Sequence, residues 1–307
     1  MRAPQWITTR NEVWTVVEQL ADSGEHRARN ANFLADGAET VRVALERGWR
    51  PAALLFNSGP GLTEDARDIL DRTEAPIYAV APELMAQLGG RFGSIPEIVA
   101  VLVYRPIDLG QIRPHDEFTA VVCGPVADPA TVGATMRTAH ALGADAVFID
   151  PTSYDPYAPR ALHAAGEAFF TLPPVIGYGR EQILHWGRSV GGLTVVAVAS
   201  QGSTGLAEVD VKGPKLVVVA DERLGIPEPW LRAADIVVSS PAAGAGLDAT
   251  ALTAMCLPEV KKQRQAAPAA PPTAFPEPDD ADSAVEDADG TEDEYRSVNY
   301  YAKFRRN

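Results

Sequence analysis

The sequence predicts an α/β protein: a small N-terminal α/β domain followed by a second α/β domain with a mostly parallel sheet. Three observations predict it. Apolar residues recur along the chain first at helical spacing and then in short strand-like runs, repeatedly, which is the pattern of alternating helices and strands. The runs in the second half, such as 194–198 and 215–219, are continuous and rich in Val, as suits strands buried on both faces of a parallel sheet. After Arg264 the composition turns to Ala and Pro and then to acid, with almost no large apolar residue until Val298.

In the first unit, residues 11–20 place Val13, Val16, Val17 and Leu20 at helical spacing, and a second helix is expected over 37–47. A strand at 52–56, a helix at 63–71, a strand at 77–80, a short helix at 82–88 and a closing strand at 98–104 follow. The prolines between 106 and 114 mark a connection, so the domains are drawn as 1–106, a linker at 107–114, and 115–264. In the second unit the expected elements are a strand at 120–123, a helix at 131–142, and strands at 146–149, 194–198, 215–219 and 235–238. A last helix over 248–256 is expected to stop before Pro258. Residues 265–307 are expected to be a disordered acidic tail.

Charge and composition exclude several classes. The net charge of −14 argues against a generic polyanion binder. Ten acids and four bases in 265–307 account for −6 of it, leaving −8 on the body, so any nucleic acid must be met by local basic patches such as His26-Arg27-Ala28-Arg29 or Lys261-Lys262-Gln263-Arg264. The two cysteines, Cys123 and Cys256, each sit in an apolar run, which reads as buried free thiols rather than a disulfide framework or zinc site. The five histidines show no ligand spacing, so no metal is expected. The N-terminus has no apolar core of a secretory signal, and no apolar run approaches the roughly 18–20 residues of a membrane span, so a cytoplasmic protein is expected.

Two stretches carry the chemistry. In Asp128-Pro129-Ala130-Thr131-Val132-Gly133-Ala134-Thr135-Met136-Arg137 and in Val219-Ala220-Asp221-Glu222-Arg223-Leu224-Gly225-Ile226, a strand-like run feeds a Gly-containing segment, as a backbone-lined cofactor site requires. Arg137, near the start of a helix, is of the type that holds a phosphate and stabilises a developing alkoxide. Gly244-Ala245-Gly246-Leu247-Asp248-Ala249 matches a dinucleotide fingerprint in form only, because neither an acid about 20 residues on nor a further βαβ unit follows it.

These residues resemble the SpoU/TrmH family of SPOUT RNA 2′-O-ribose methyltransferases, over about residues 10–262. Asp128, Pro129, Gly133 and Arg137 are similar to the family's first motif, with Thr131 in place of its Asn; Ala220, Asp221, Glu222 and Gly225 are similar to the second. The third motif is represented by Ser240-Pro241-Ala242, a spacer about two residues shorter, and Gly246-Leu247-Asp248 where the family has Ser-Leu-Asn. Ala164 stands where the family commonly has Ser. The resemblance implies a trefoil-knotted SPOUT domain that binds S-adenosyl-L-methionine mainly through backbone groups, pairs as a homodimer and methylates rRNA or tRNA. It implies catalytic roles for Arg137 and Glu222, cofactor binding at Ala220, Gly225, Ser240 and Leu247, and RNA contacts from Arg27, Arg29 and Arg137. The altered third motif leaves open a second reading, a catalytically weakened or inactive relative acting as an RNA- or protein-binding dimer.

Overall fold

The computed structural model describes residues 3–59, 61–209, 211, 213–239 and 244–264. Its first half is β1 (Gln5–Ile7), α1 (Glu12–Asp22), α2 (Gly24–Asn30), β2 (Asn32–Asp36), α3 (Ala38–Glu46), β3 (Pro51–Asn57), α4 (Glu64–Arg72), β4 (Ile77–Val80), α5 (Pro82–Phe92) and β5 (Ile98–Val103). The strands form one sheet in the order β1-β4-β3-β5-β2, with β5 antiparallel to both of its neighbours and the other pairings parallel. Local chemistry sets the helix starts. Asn11 accepts a hydrogen bond from the Trp14 N–H at the start of α1, and Thr63 does the same for Ala66 at the start of α4.

The second half is β6 (Thr119–Cys123), α6 (Pro129–Ala141), β7 (Ala146–Ile149), α7 (Pro159–Ala165), α8 (Ala168–Thr171), β8 (Pro174–Val175), α9 (Arg180–Ser189), β9 (Thr194–Val198), β10 (Thr204–Gly205), β11 (Lys215–Val219), α10 (Glu228–Ala233), β12 (Ile236–Ser239) and α11 (Ala249–Arg264). Its sheet runs β10-β12-β9-β11-β6-β7-β8, and every pairing is parallel. Alternation along the strands sends Val121, Cys123, Val217 and Val219 to one face, under α6, α7, α8 and α11. Ala120, Val122, Leu216 and Val218 go to the other, under α9 and α10. The continuous apolar runs thus have helices on both sides.

The two halves share a core. Phe33, Trp49 and Tyr104 of the first pack on Tyr157, Phe169 and Phe170 of the second: Tyr104 stacks on Tyr157 at 4.2 Å between ring centroids, Phe33 meets Tyr157 edge-on at 4.9 Å, and Trp49 meets Phe170 edge-on at 5.4 Å. Residues 107–114, expected as a linker, are strapped to the second sheet. Ile107, Leu109 and Ile112 are buried there, and the Tyr178 hydroxyl donates to Asp108 and accepts from the Leu109 N–H.

Other differences from the sequence-based expectation have local causes. The helix expected from residue 131 begins at Pro129, because Asp128 caps it and Pro suits the first helical position. Gly133 therefore lies inside a helix and not in a loop. The last helix passes through Pro258: both Pro258 and Ala254, whose carbonyl the proline leaves without an i+4 donor, are exposed, so water satisfies that oxygen. No element is expected from the sequence at β1, α2, β2, α7, α8, β8, α9, β10 or α10; of these β1, β8 and β10, two or three residues long, exist through pairing with distant strands. The expected tail at 265–307 lies outside the described residues.

Candidate cofactor and nucleic-acid site

Three loops leave the carboxyl ends of β6, β11 and β12, the edge at which open parallel sheets bind ligands. Asp221 fastens them together. One oxygen of its buried carboxylate accepts the Ala127 N–H at 2.7 Å, from the loop after β6, and the other accepts the Ala249 N–H at 2.9 Å, from the start of α11. Its own N–H donates to the Pro125 carbonyl at 3.0 Å. An ionised carboxylate with both oxygens bonded to backbone donors makes strong, orienting bonds.

Glu222 binds the same loop from the other side. Its Oε2 accepts the N–H groups of Gly246 at 2.8 Å and Leu247 at 3.0 Å, and its N–H donates to the Leu247 carbonyl at 2.9 Å. Oε1 is buried without a hydrogen-bond partner among the described residues. Gly225 takes φ +73°, a left-handed conformation that closes the turn, with its N–H donating to the Asp221 carbonyl at 2.9 Å. Ala220 is buried and Leu247 half-buried against the core. The structure therefore gathers Ala220, Glu222, Gly225 and Leu247 into one loop cluster. Ser240 lies outside the described residues.

The altered motif residues have structural explanations. Asp248, where the resemblance has Asn, caps α11 by accepting the Ala251 N–H at 2.7 Å, and Asp and Asn are near-equivalent caps. Thr131 lies at the contact of α6 with α11, where its carbonyl accepts a bond from the Thr250 hydroxyl at 3.5 Å, while Thr135 and Thr250 exchange a hydroxyl bond at 3.2 Å. Gly133 is a packing residue. A Cβ built on it would lie 1.8 Å from the Ala161 carbonyl oxygen and 2.7 Å from the Ala165 nitrogen, so α6 and α7 touch backbone to backbone.

Arg137 follows Gly133 by one turn of α6 and is exposed, with no ion pair or hydrogen bond among the described residues. It sits six residues beyond Thr131, about 9 Å further along the helix axis, and on a different helix face from the threonines packed against α11. No hydrogen bond joins it to Glu222 among the described residues. Near the helix start, Asp128 accepts the Ala130 N–H at 2.7 Å and pairs with Arg160 at 2.9 Å.

One expected RNA contact is corrected. Arg27 is only 4% exposed: its Nε and Nη2 donate to one Asp155 oxygen at 2.9 and 2.6 Å, and Nη1 donates to the Leu20 carbonyl at 2.7 Å. Its guanidinium is a strut between the two halves, out of reach of any RNA. Arg29 is exposed and paired with Glu25 at 2.7 Å. Burial pushes the Cys123 and Cys256 thiols up to about 12, so neither is a thiolate at neutral pH. Among the described residues no group of His, Cys, Asp and Glu could hold a metal ion, and no helix is long and apolar enough to cross a membrane.

Sequence reading names Asp221 as a member of the second motif but gives no role to it, although it is the residue that joins the loops. The only signal of that role is its place directly before Glu222. The bonds that define its role run to residues 94 and 28 positions away.

Residues 119–246 match the SpoU rRNA Methylase family, and residues 11–100 match the SpoU L30e-like domain. The chain is 28% identical over 268 residues to the 23S rRNA (uridine(2479)-2′-O)-methyltransferase of Streptomyces viridochromogenes, an alignment covering 85% of this chain and 93% of the relative. The crystal structure of the SpoU methyltransferase AviRb from Streptomyces viridochromogenes, in complex with the cofactor AdoMet, superposes with a TM-score of 0.79 at 27% identity, covering 84% of this chain and all (100%) of that one. The AdoMet-bound rRNA methyltransferase from Sinorhizobium meliloti superposes with a TM-score of 0.73 at 25% identity, over 84% of this chain and 97% of that one.

Proposed function

Because the chain belongs to the SpoU methyltransferase family, we propose that it transfers a methyl group from S-adenosyl-L-methionine to a ribose 2′-hydroxyl of RNA, with ribosomal RNA as the substrate. The observation that carries this reading is the Asp221 clasp, which ties the loops after β6 and β12 into a cage lined by backbone groups. Such a cage holds a cofactor by N–H and C=O groups, which explains why altered side chains in the third motif are compatible with binding.

S-adenosylmethionine fits the groups present. Glu222 Oε1 is a buried acceptor without a donor among the described residues, and the ligand carries amino donors. Residues 220–225 and 244–247, with Ser240, would hold it, and when bound it supplies an electrophilic methyl group. The remaining work falls to the protein. Arg137 would grip the phosphate next to the reacting ribose and stabilise the alkoxide as the 2′-hydroxyl loses its proton. Glu222, bonded to the third-motif backbone, positions that loop.

We assign residues 1–106 to substrate binding and 115–264 to methyl transfer, with 107–114 as a docked connection. The trefoil threading depends on the passage through 240–243, outside the described residues. We assign the working unit as a homodimer, in which the exposed Arg137 would be open to groups contributed by the partner subunit. The site of action would be the cytosol, where ribosomal RNA is modified.

Titration calorimetry tests the reading. S-adenosylmethionine should bind in the micromolar range or better, and Asp221→Ala should weaken it. Absence of measurable heat at high micromolar ligand would instead support a non-catalytic dimer that binds RNA or protein, the reading favoured by Gly246 and Asp248 in the third motif.

A further inference from the structure

The body of this protein is acidic, so its cations matter by where they are left free. Besides Arg27, five arginines of the first half are tied to carboxylates, while Arg67 on α4 has no ion pair among the described residues. The exposed Arg10 pairs with Glu18, Arg29 with Glu25 and Arg72 with Asp68, and the half-buried Arg42 pairs with both Glu39 and Glu46 and Arg91 with Asp22. Those pairs neutralise the surface they occupy. Arg47, Arg50 and Arg105 differ: none has an ion pair among the described residues, and the fold brings all three to one place.

Arg47 closes α3, Arg50 precedes β3, and Arg105 follows β5. The Arg105 guanidinium donates to the Arg47 carbonyl at 3.2 Å, and the Val103 N–H donates to the Arg50 carbonyl at 3.0 Å, so the three residues share the edge of the first sheet where the chain crosses to the second. Across that seam lies the C-terminal end of α6. Trp49, two residues after Arg47, meets Phe170 of α8 edge-on at 5.4 Å, and α8 lies against α6. This brings Arg47 toward the helix end, where burial and the Arg47 charge hold His140 below its ordinary range. His140 follows Arg137 by three residues, so the two lie on adjoining positions of one helix face.

Guanidinium groups with no ion pair among the described residues therefore stand on both sides of the domain seam, Arg137 on α6 and Arg47, Arg50 and Arg105 at the ends of α3, β3 and β5, with the uncharged form of His140 favoured between them. The carboxylates bordering these cations are Glu39 and Glu46, both occupied by Arg42, and Glu167, which faces His140. Trp49, buried between Gly48 and Arg50, anchors this edge in the shared aromatic core, so the spacing from Arg137 is fixed by packing and not by a flexible tether.

We propose that Arg47, Arg50 and Arg105 form the track that grips the RNA sugar-phosphate backbone leading into the site, with Arg137 at its end. The proposal rests on the RNA-directed reading above and deepens it by naming the surface. Recognition by this track is of phosphates, so it contributes affinity and register without reading sequence. It also resolves how an acidic chain holds RNA, since the seam is locally positive although the whole molecule is not.

The test measures binding of a 23S rRNA transcript by fluorescence anisotropy over a series of salt concentrations, for the full chain and for the triple variant Arg47→Ala/Arg50→Ala/Arg105→Ala. Removing three phosphate contacts should raise Kd by on the order of tenfold or more at moderate salt and flatten the slope of log K against log salt by roughly 3. Arg188→Ala, an exposed arginine on α9 across the second sheet from α6, should change neither. Unchanged thermal melting and unchanged calorimetric binding of S-adenosylmethionine show that the triple variant keeps fold and cofactor site. A folded triple variant with wild-type Kd and slope overturns the track while leaving the methyltransferase reading intact. A wild-type chain that binds cofactor but no RNA overturns both.

Discussion

At the scale of single residues, the proposed function divides between Asp221, which would hold the cofactor loops, and Arg137, which would handle the reacting ribose. Both Asp221 oxygens accept backbone N–H groups, so Asp221→Asn must turn an amide NH2 toward one of them. The loss of one charge-assisted bond costs about 1.5–3 kcal/mol, and calorimetry should show S-adenosylmethionine binding weakened by roughly tenfold or more. Arg137 has the opposite profile. It is exposed and unpaired among the described residues, so Arg137→Ala should leave the melting temperature and cofactor binding unchanged while abolishing methyl incorporation; persistent turnover would show that another group handles the alkoxide. The sequence singled out Arg137 and Glu222 because each sits in a fixed pattern, and the structure places Glu222 in the loop cluster and Arg137 exposed on α6. The sequence did not reveal that Glu222 is engaged with the backbone of residues 246 and 247, nor that Arg27 is buried against Asp155, because both depend on contacts far along the chain.

At the scale of elements, the first motif proves to be as much a packing device as a ligand loop. Gly133 allows α7 to lie against α6 with no side chain between them, and Ala161 and Ala165 keep the facing surface small. Gly133→Val should therefore destabilise the fold by more than the 1–3 kcal/mol typical of core overpacking, because the obstacle is backbone that cannot rotate away. Denaturant titration should show the midpoint fall with it. Strands were legible where apolar runs were continuous, as at β9 and β11, and helices where periodicity marked them, as at Val13, Val16, Val17 and Leu20 for α1. The strands of two or three residues, β1, β8 and β10, were not, since they exist through pairing with distant strands. The expected stop before Pro258 failed because solvent exposure of the freed carbonyl makes a proline tolerable there.

At the scale of the whole molecule, the aromatic core and the Arg27–Asp155 pair make the two halves mechanically one. Arg27→Ala leaves the Asp155 carboxylate buried and unpaired, at a cost of about 3–5 kcal/mol, whereas a joint Arg27→Met/Asp155→Leu change should recover most of that stability. Scanning calorimetry should show a single transition for the wild-type chain. A second contact across the halves gives a pH signature. Burial raises the Asp36 pKa above its ordinary 3.8 against the opposing effect of its neighbour His163 at 3.2 Å. Its contribution to stability is thus fully present below about pH 3.8 and is lost as pH rises through the higher folded value. Asp36→Asn, which cannot ionise, should gain in melting temperature relative to wild type as pH is raised from 4 toward neutrality; a constant gap would contradict the buried-carboxylate account.

The most direct test of the central claim is mass spectrometry of nucleosides from ribosomal RNA incubated with the protein and S-adenosylmethionine carrying an isotopically labelled methyl group. The account predicts one labelled 2′-O-methylnucleoside, formed by the wild-type chain and lost in Arg137→Ala. Label on a base, or no labelled nucleoside from a chain that binds both cofactor and RNA, would contradict it.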